Sequence, residues 1–276
     1  MGNSSKHTEA SAAKFALQHI PQSSGSTIAL SSARSGIFAR GRSDAANNTA
    51  HADFKLGLQH YTAQEFPGAA AHFQRAAEAG HADAQYRLGM MLGDGIGVPQ
   101  NFEQAAVWDR RAAEQEHAYA QANLSYRFYS GEGLPQDFAA AFFWCEKAAR
   151  NNLAWAQCNL GLMYRKGEGV PRDYAQAAFW YRQAAAQNWP DAQQELGALY
   201  CRGQGVPRDY AQAAHWYGLA AGQGHAAAQY DLSQLYLTGQ GVTPDYVQAR
   251  DWCRKAATQG HPQAQRDLKK REYRDA

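Results

Sequence analysis

From residue 81 onward, apolar and polar positions alternate in two kinds of stripe, and the whole pattern restarts every 36 residues. In 153–188, Ala156, Leu160 and Tyr164 stand at i, i+4 and i+8, one apolar side of a helix. A glycine pair, Gly167 and Gly169, then precedes Val170-Pro171. A second stripe follows, with Ala177, Trp180 and Ala184-Ala185 spaced for one buried face of another helix. The leucines Leu88, Leu124, Leu160, Leu196 and Leu232 and the tryptophans Trp108, Trp144, Trp180, Trp216 and Trp252 each step by 36 residues. A fixed period of this length is the signature of a solenoid. It predicts five helix–loop–helix units, 81–116, 117–152, 153–188, 189–224 and 225–260.

The punctuation within each unit supports the same elements. Gly95, Gly131, Gly167, Gly203 and Gly239 stand where the first helix (helix A) needs a positive-φ residue to stop. Pro99, Pro135, Pro171 and Pro207 forbid its continuation. Asn101, Asp137, Asp173, Asp209 and Asp245 are N-cap residues for the second helix (helix B). Gln104, Gln176, Gln212 and Gln248, three residues on, give a capping-box pattern that Ala140 breaks. Gly161, Gly89 and Gly197, with Ser125 and Ser233 as small substitutes, let a neighbouring helix approach. The spacing places the tryptophans in the core, where truncating Trp180 to Ala costs about 3–5 kcal/mol if the ring is buried. Helix B ends on Asn152, Asn188, Gly224 or Gly260, all tolerant of left-handed backbone, with Glu116 the exception.

The ends differ from the middle. Residues 52–80 read as an atypical repeat, a helical pair from about Ala52 to Ala79 with a shorter linker and no Gly-x-Gly-Val element. Residues 261–276 keep the helix A pattern at Ala264, Gln265 and Leu268, but carry Lys269-Lys270-Arg271-Glu272 outside, as a capping helix does. Residues 1–50 are rich in Ser, Ala, Gly and Asn, lack the repeat, and read as a largely disordered segment before a solenoid of 51–276.

Charge and cysteine usage narrow the function classes. A formal net charge of +2 argues against a nucleic-acid or membrane surface as the partner. No apolar run has the length of a membrane span. The N-terminus lacks the apolar core of a secretory signal, so the expected compartment is the cytoplasm. Met1-Gly2 begins like a myristoylation signal, but Lys6 occupies its Ser/Thr position. Cys145, Cys158, Cys201 and Cys253 do not form a disulfide framework and are expected as free thiols, a Cys145–Cys158 pair alone being left open.

The chemistry-bearing patterns read as structure. The Gly-x-Gly loops lack the third glycine, the Lys-Ser/Thr and the preceding strand of a phosphate cradle. His81, His117, His225 and His261 share one position at the start of helix A, about 10 Å apart by helix packing, too far to share a metal. No cofactor, metal site or catalytic residue is expected.

The run Leu-Gly-x-x-Tyr-x-x-Gly-x-Gly-Val-Pro-x-Asp-Tyr-x-x-Ala-x-x-Trp-x-x-x-Ala-Ala in 160–185 resembles the Sel-one-like repeat (SLR), a branch of the tetratricopeptide-like (TPR-like) α-solenoids. The resemblance covers 81–276 closely and 52–80 loosely. It implies an all-α, right-handed superhelix of antiparallel helix pairs. It also implies a non-enzymatic adaptor or scaffold that binds a protein or peptide partner. The cysteine-rich secreted branch suggests an alternative, a small-molecule or cell-wall-fragment binder or hydrolase. Ala149, Ala185 and Ala221 stand where that branch has cysteine, so its disulfide scaffold and β-lactam activity are not carried over. A third reading is a structural subunit that uses 1–50 as a docking arm.

In tetratricopeptide-like stacks helix A lines a concave face. The positions six and three residues before the glycine of Leu-Gly, and one, four and five after it, vary between units while the core repeats. They supply aromatic anchors at Tyr86, Tyr119, Tyr126, Tyr129 and Trp155, a basic step at Arg165, Lys166 and Arg202, and Tyr230. The expectation is a groove, aromatic at one end and cationic at the other, for an extended or helical ligand with an acidic end. Arg127 stands where other units have Met91, Met163, Leu199 and Leu235, and is expected to pair with a partner or with Glu132.

Overall fold

The computed structural model describes residues 43–269, with side chains from Asn47 onward. These residues form thirteen α-helices and no strand. They divide into two compact units, one ending at Gln136 and the other beginning at Asp137. The first holds α1 (Ser43–Thr62), α2 (Phe66–Glu78), α3 (Ala82–Asp94), α4 (Phe102–Glu114) and α5 (Ala118–Ser130). The second holds α6 (Phe138–Arg150), α7 (Ala154–Lys166), α8 (Tyr174–Ala186), α9 (Pro190–Arg202), α10 (Tyr210–Gly222), α11 (Ala226–Thr238), α12 (Tyr246–Thr258) and α13 (Pro262–Asp267). Within each unit every helix packs on the one before it.

The chain is helical from Ser43, earlier than the expected start near Ala52. The reason is a stripe overlooked in the Ala/Asn-rich sequence. Ala50 is buried, and Phe54, Leu58 and Tyr61 continue its face against Phe73. Residues 1–42 and 270–276, including the expected disordered tail and the Lys270–Glu272 part of the capping helix, lie outside the described residues.

The loops form as their residues dictate. Gly167 ends α7 in the left-handed region, φ 78°, and donates its N–H to Met163 O at 2.8 Å. Asp173 then caps α8, its Oδ1 accepting from the N–H groups of Ala175 and Gln176 at 2.8 and 3.0 Å. The second glycine, Gly169, has φ 74°, and a Cβ there would collide with the Phe138 carbonyl at the start of the preceding helix B. It is glycine because two backbones meet at it, a reason the sequence pattern did not disclose. Glu116 does take the left-handed backbone (φ 64°) that Asn152, Asn188, Gly224 and Gly260 take in the other units, where its Cβ carries strain.

One expectation about the core is corrected. The tryptophans are half-buried, and the buried position is the next residue, occupied by Asp109, Cys145, Tyr181, Tyr217 and Cys253. Tyr181 is 0 % exposed. Its ring fills the space left by a glycine twenty residues earlier, since a Cβ on Gly161 would sit 2.8 Å from it. Gly197 does the same for Tyr217, and Gly57, across the shorter linker, for Phe73. Small and large residues therefore alternate across the helix A–helix B contact. The tryptophans were misplaced because period and hydrophobicity identify an apolar stripe but not which of two adjacent residues points into it.

A second buried row runs through both units. Gln85, Gln121, Gln157, Gln193 and Gln229 are buried although polar. Each donates from Nε2 to an alanine carbonyl near the end of the preceding helix B: Ala77, Ala113, Ala149, Ala185 and Ala221, at 3.0–3.3 Å. The Oε1 of Gln85, Gln157, Gln193 and Gln229 accepts from Gln115, Gln187, Gln223 and Gln259 at 2.7–2.8 Å. Each glutamine thus adds a second donor to a carbonyl that already closes the helix end, and four of them also take up a neighbouring glutamine amide.

Candidate functional site

The exposed side of the helix A row is the candidate site, and each unit presents its own part of it. In the first unit Tyr86 is buried, not exposed, and stacks on His117 with ring centroids 4.7 Å apart. Tyr119 lies 6.0 Å from Tyr86 and is 44 % exposed, the most open of the predicted tyrosines. Tyr126 and Tyr129 are half-buried, and the Tyr126 hydroxyl donates to Glu132 at 3.3 Å. Tyr86, His117 and Tyr119 are therefore brought together as one aromatic group.

In the second unit Trp155 is half-buried and Arg202 exposed. Arg165 faces Glu195 at 3.5 Å and Lys166 faces Glu168 at 3.6 Å. Tyr230 stacks on His261 at 4.7 Å and donates its hydroxyl to Asp267 at 2.9 Å. The expected basic step is thus balanced by a loop carboxylate, Glu168, and by Glu195, from a row that sequence reasoning passed over. That row lies two residues before the glycine and holds Arg87, Asn123, Asn159, Glu195, Asp231 and Asp267. Burial raises the Glu195 carboxyl above its usual range, with Arg165 and Arg202 opposing. Burial also raises Asp231, whose Oδ2 accepts from Gln194 at 2.7 Å. The signal was present as an acidic drift in one register column, 195, 231 and 267.

Arg127 pairs with neither Glu132 nor an outside group. Its Nε donates to Asp109 Oδ2 at 2.7 Å, and both side chains are buried, at 8 % and 0 % exposure. Two glycines of α3 make the room. A Cβ on Gly89 would touch Asp109 Oδ1, and one on Gly93 would touch an Arg127 terminal nitrogen. Other units hold Tyr129, Arg165, Cys201 or Leu237 at the position of Gly93. Burial pushes the Asp109 carboxyl up to about 6 against the pull of Arg127, so it is ionised at pH 7.

The recurrent histidines are helix caps. His117 Nδ1 accepts from Ala120 N at 3.1 Å, His225 Nδ1 from Ala228 N at 3.2 Å, and His81 and His261 do the same at 3.4 and 3.3 Å. Accepting at Nδ1 requires the neutral ring with its proton on Nε2. Nε2 of His117 and His225 then faces Asp83 and Asp191, at 3.3 and 3.1 Å. Burial lowers His81 and His261 below the usual imidazole range. Because the unfolded chain takes up these protons near pH 6.5 and the folded chain does not, stability from this source falls as pH drops below about 6.5. It levels off once the folded rings titrate. His261→Asn keeps a capping acceptor without a titrating ring. Urea unfolding between pH 7 and 5 should show a smaller loss in that variant than in the wild type.

Among the described residues, no three His, Cys, Asp or Glu groups converge to hold a metal. None of their helices is long and apolar enough to cross a membrane. None of the four cysteines is in a disulfide, and Cys145 Sγ donates to Ala156 O at 3.4 Å. Burial raises the Cys158 thiol well above its usual range, which keeps it protonated and unreactive.

Helix pairs of fixed length, each closed by the same loop and stacked on the last, define a helical-repeat solenoid. The Sel1 repeat model matches residues 50–81, 82–117, 118–153, 156–189, 190–225 and 226–261, and the chain belongs to the Sel1 repeat family. Proteins of this family generally are non-catalytic scaffolds for protein–protein interaction. The crystal structure of c5321, a protective antigen of uropathogenic Escherichia coli with an SLR fold, is 37% identical with a TM-score of 0.75. The match covers 78% of this chain and 47% of that one, so this chain spans about half its length. A Sel1 repeat protein from Oxalobacter formigenes is 31% identical, TM-score 0.73, over 78% of this chain and 86% of that one. Pseudomonas aeruginosa pilF, 19% identical with a TM-score of 0.54 over 84% and 97%, shares the fold alone. No curated protein matches the sequence.

Proposed function

We propose that the chain is a non-enzymatic adaptor that holds a protein or peptide partner on its concave helix A face. The supporting observation is a contrast within the chain. The column six residues before the glycine reads Asp83, Tyr119, Trp155, Asp191, Ala227 and Gln263, different in nearly every unit. Two residues further on stand Gln85, Gln121, Gln157, Gln193 and Gln229, identical and buried. One column repeats because it is buried in the repeat's own packing, and the other varies from unit to unit. Tyr119, Trp155 and Arg202 offer contact area and charge of the kinds that anchor interfaces. Tyr86 and Tyr230 act behind them by fixing the rings they stack on. With Arg165 facing Glu195 and Lys166 facing Glu168, the exposed Arg202 guanidinium is the charge these residues offer a partner.

The test is quantitative capture from native lysate with the wild type and two variants. The first is Tyr119→Ala/Trp155→Ala and the second is Phe179→Ala on helix B, whose ring is exposed. The proposal expects a protein retained by the wild type and by Phe179→Ala, and reduced at least tenfold with the double variant. Equal recovery on all three would refute it.

A further inference from the structure

On the opposite, helix B side of the first unit lies an open cleft of about 260 Å³. Leu88, Leu92, Val98 and Trp108 form its apolar wall, and Gln104 and Arg111 its polar edge. The first full repeat departs there from the three units that follow it at two positions. Leu92 stands where the other units place His60, Phe128, Tyr164, Tyr200 and Tyr236. Val107 stands where Phe143, Phe179 and His215 stand. At Phe128, Tyr164 and Tyr200 that ring closes the gap to the preceding helix B. Arg110 lies over Phe128 at 5.7 Å, Tyr164 meets Phe142 edge-on at 5.3 Å, and Arg182 donates to the Tyr200 hydroxyl at 3.3 Å. The residue equivalent to Arg110 and Arg182 at the cleft is Gln74, which lines it and has no ring to meet.

We propose that this cleft takes one aromatic side chain from a partner polypeptide, with a carboxylate beside the ring. The rest of the chain supplies the precedent, since an aromatic ring is what the same site holds in the units of Phe128, Tyr164 and Tyr200. The volume lies below the about 300–1,000 Å³ of sites that enclose whole small ligands, and suits a single side chain. The charge follows from the edge. Its lining carries the Arg111 guanidinium, 4.6 Å over the Trp108 ring, and no carboxylate. The Gln74 amide is already given to Glu78 at 3.0 Å, which leaves Gln104 and Arg111 as donors. A ring entering beside Trp108 lies next to that guanidinium, and an adjacent acid pairs with it.

The probes are the blocked dipeptides acetyl-Asp-Trp-amide and acetyl-Lys-Trp-amide, titrated into the full chain while the indole N–H resonance of Trp108 is followed. The Asp peptide should shift it with a dissociation constant on the order of 1 mM, the range open to a ligand of that size. The Lys peptide should bind several-fold more weakly. Leu92→Phe, which supplies the ring from within, should weaken the Asp peptide at least tenfold while the melting temperature holds. Arg111→Glu, an exposed change, should reverse the order of the two peptides. An unmoved Trp108 resonance, or Leu92→Phe binding like the wild type, overturns the proposal. If Leu92→Phe does not fold, an unchanged peptide order in Arg111→Glu overturns it instead.

Discussion

Asp109→Ala should destabilise the first unit by about 3–5 kcal/mol, because it leaves the Arg127 guanidinium buried with no counter-charge. Arg127→Leu alone should cost less. Asp109 already titrates near 6, and without its partner it can protonate rather than remain a buried anion. The double change Asp109→Tyr/Arg127→Leu is the informative one. It installs the pair that other units use, Tyr181 with Leu199 and Tyr217 with Leu235, opposite a glycine that already makes room for the ring. Replacing a buried ion pair by packed apolar groups is often neutral, so the double variant should lie within about 1 kcal/mol of the wild type. The two single costs would then fail to add, as contacting residues do. Urea unfolding followed by far-UV circular dichroism measures all four proteins. Additive losses would show that the pair is not the closed unit its geometry describes.

The second large effect separates two adjacent aromatic residues. Tyr181→Ala should cost about 3–5 kcal/mol, because a fully buried ring leaves a cavity beside Gly161 that the helices cannot close. Trp180→Ala should cost clearly less, since the indole is half-buried and packs edge-on against the exposed Phe179 at 5.1 Å. The order matters more than either value. If Trp180→Ala proved the costlier, the assignment of the core face would be wrong by one residue.

Much of this fold is legible in the sequence, because its determinants are local and repeated. Gly167 reads as a C-cap and Asp173 as an N-cap from residue type and spacing alone, and both act as such. What stayed hidden depends on contacts between units of the pattern. The reason for the second glycine, Gly169, is the Phe138 carbonyl packed against it, which no local pattern contains. The buried role of Gln193 depends on the Ala185 carbonyl and the Gln223 amide on either side of it. Its recurrence every 36 residues was the available signal, since a solvent-facing glutamine has no reason to repeat. Arg127 was correctly marked as out of place, but its partner could not be named. Asp109 sits eighteen residues earlier, in a column where the other units hold aromatics and cysteines. The proposed binding face is legible as a contrast between constant and varying columns. Its charge is not, because Glu195 and Asp231 belong to a column left out of the inward set.

The adaptor reading rests on which face meets a partner, and site-specific photo-crosslinking tests that most directly. A benzophenone amino acid would replace Tyr119, Trp155 or, on helix B of the second unit, Phe179, one at a time, in the chain expressed in its native cells. The account predicts a discrete crosslinked protein from Tyr119 or Trp155 and none of that identity from Phe179. A partner crosslinked from Phe179 alone would contradict it, and would move the binding face from helix A to helix B.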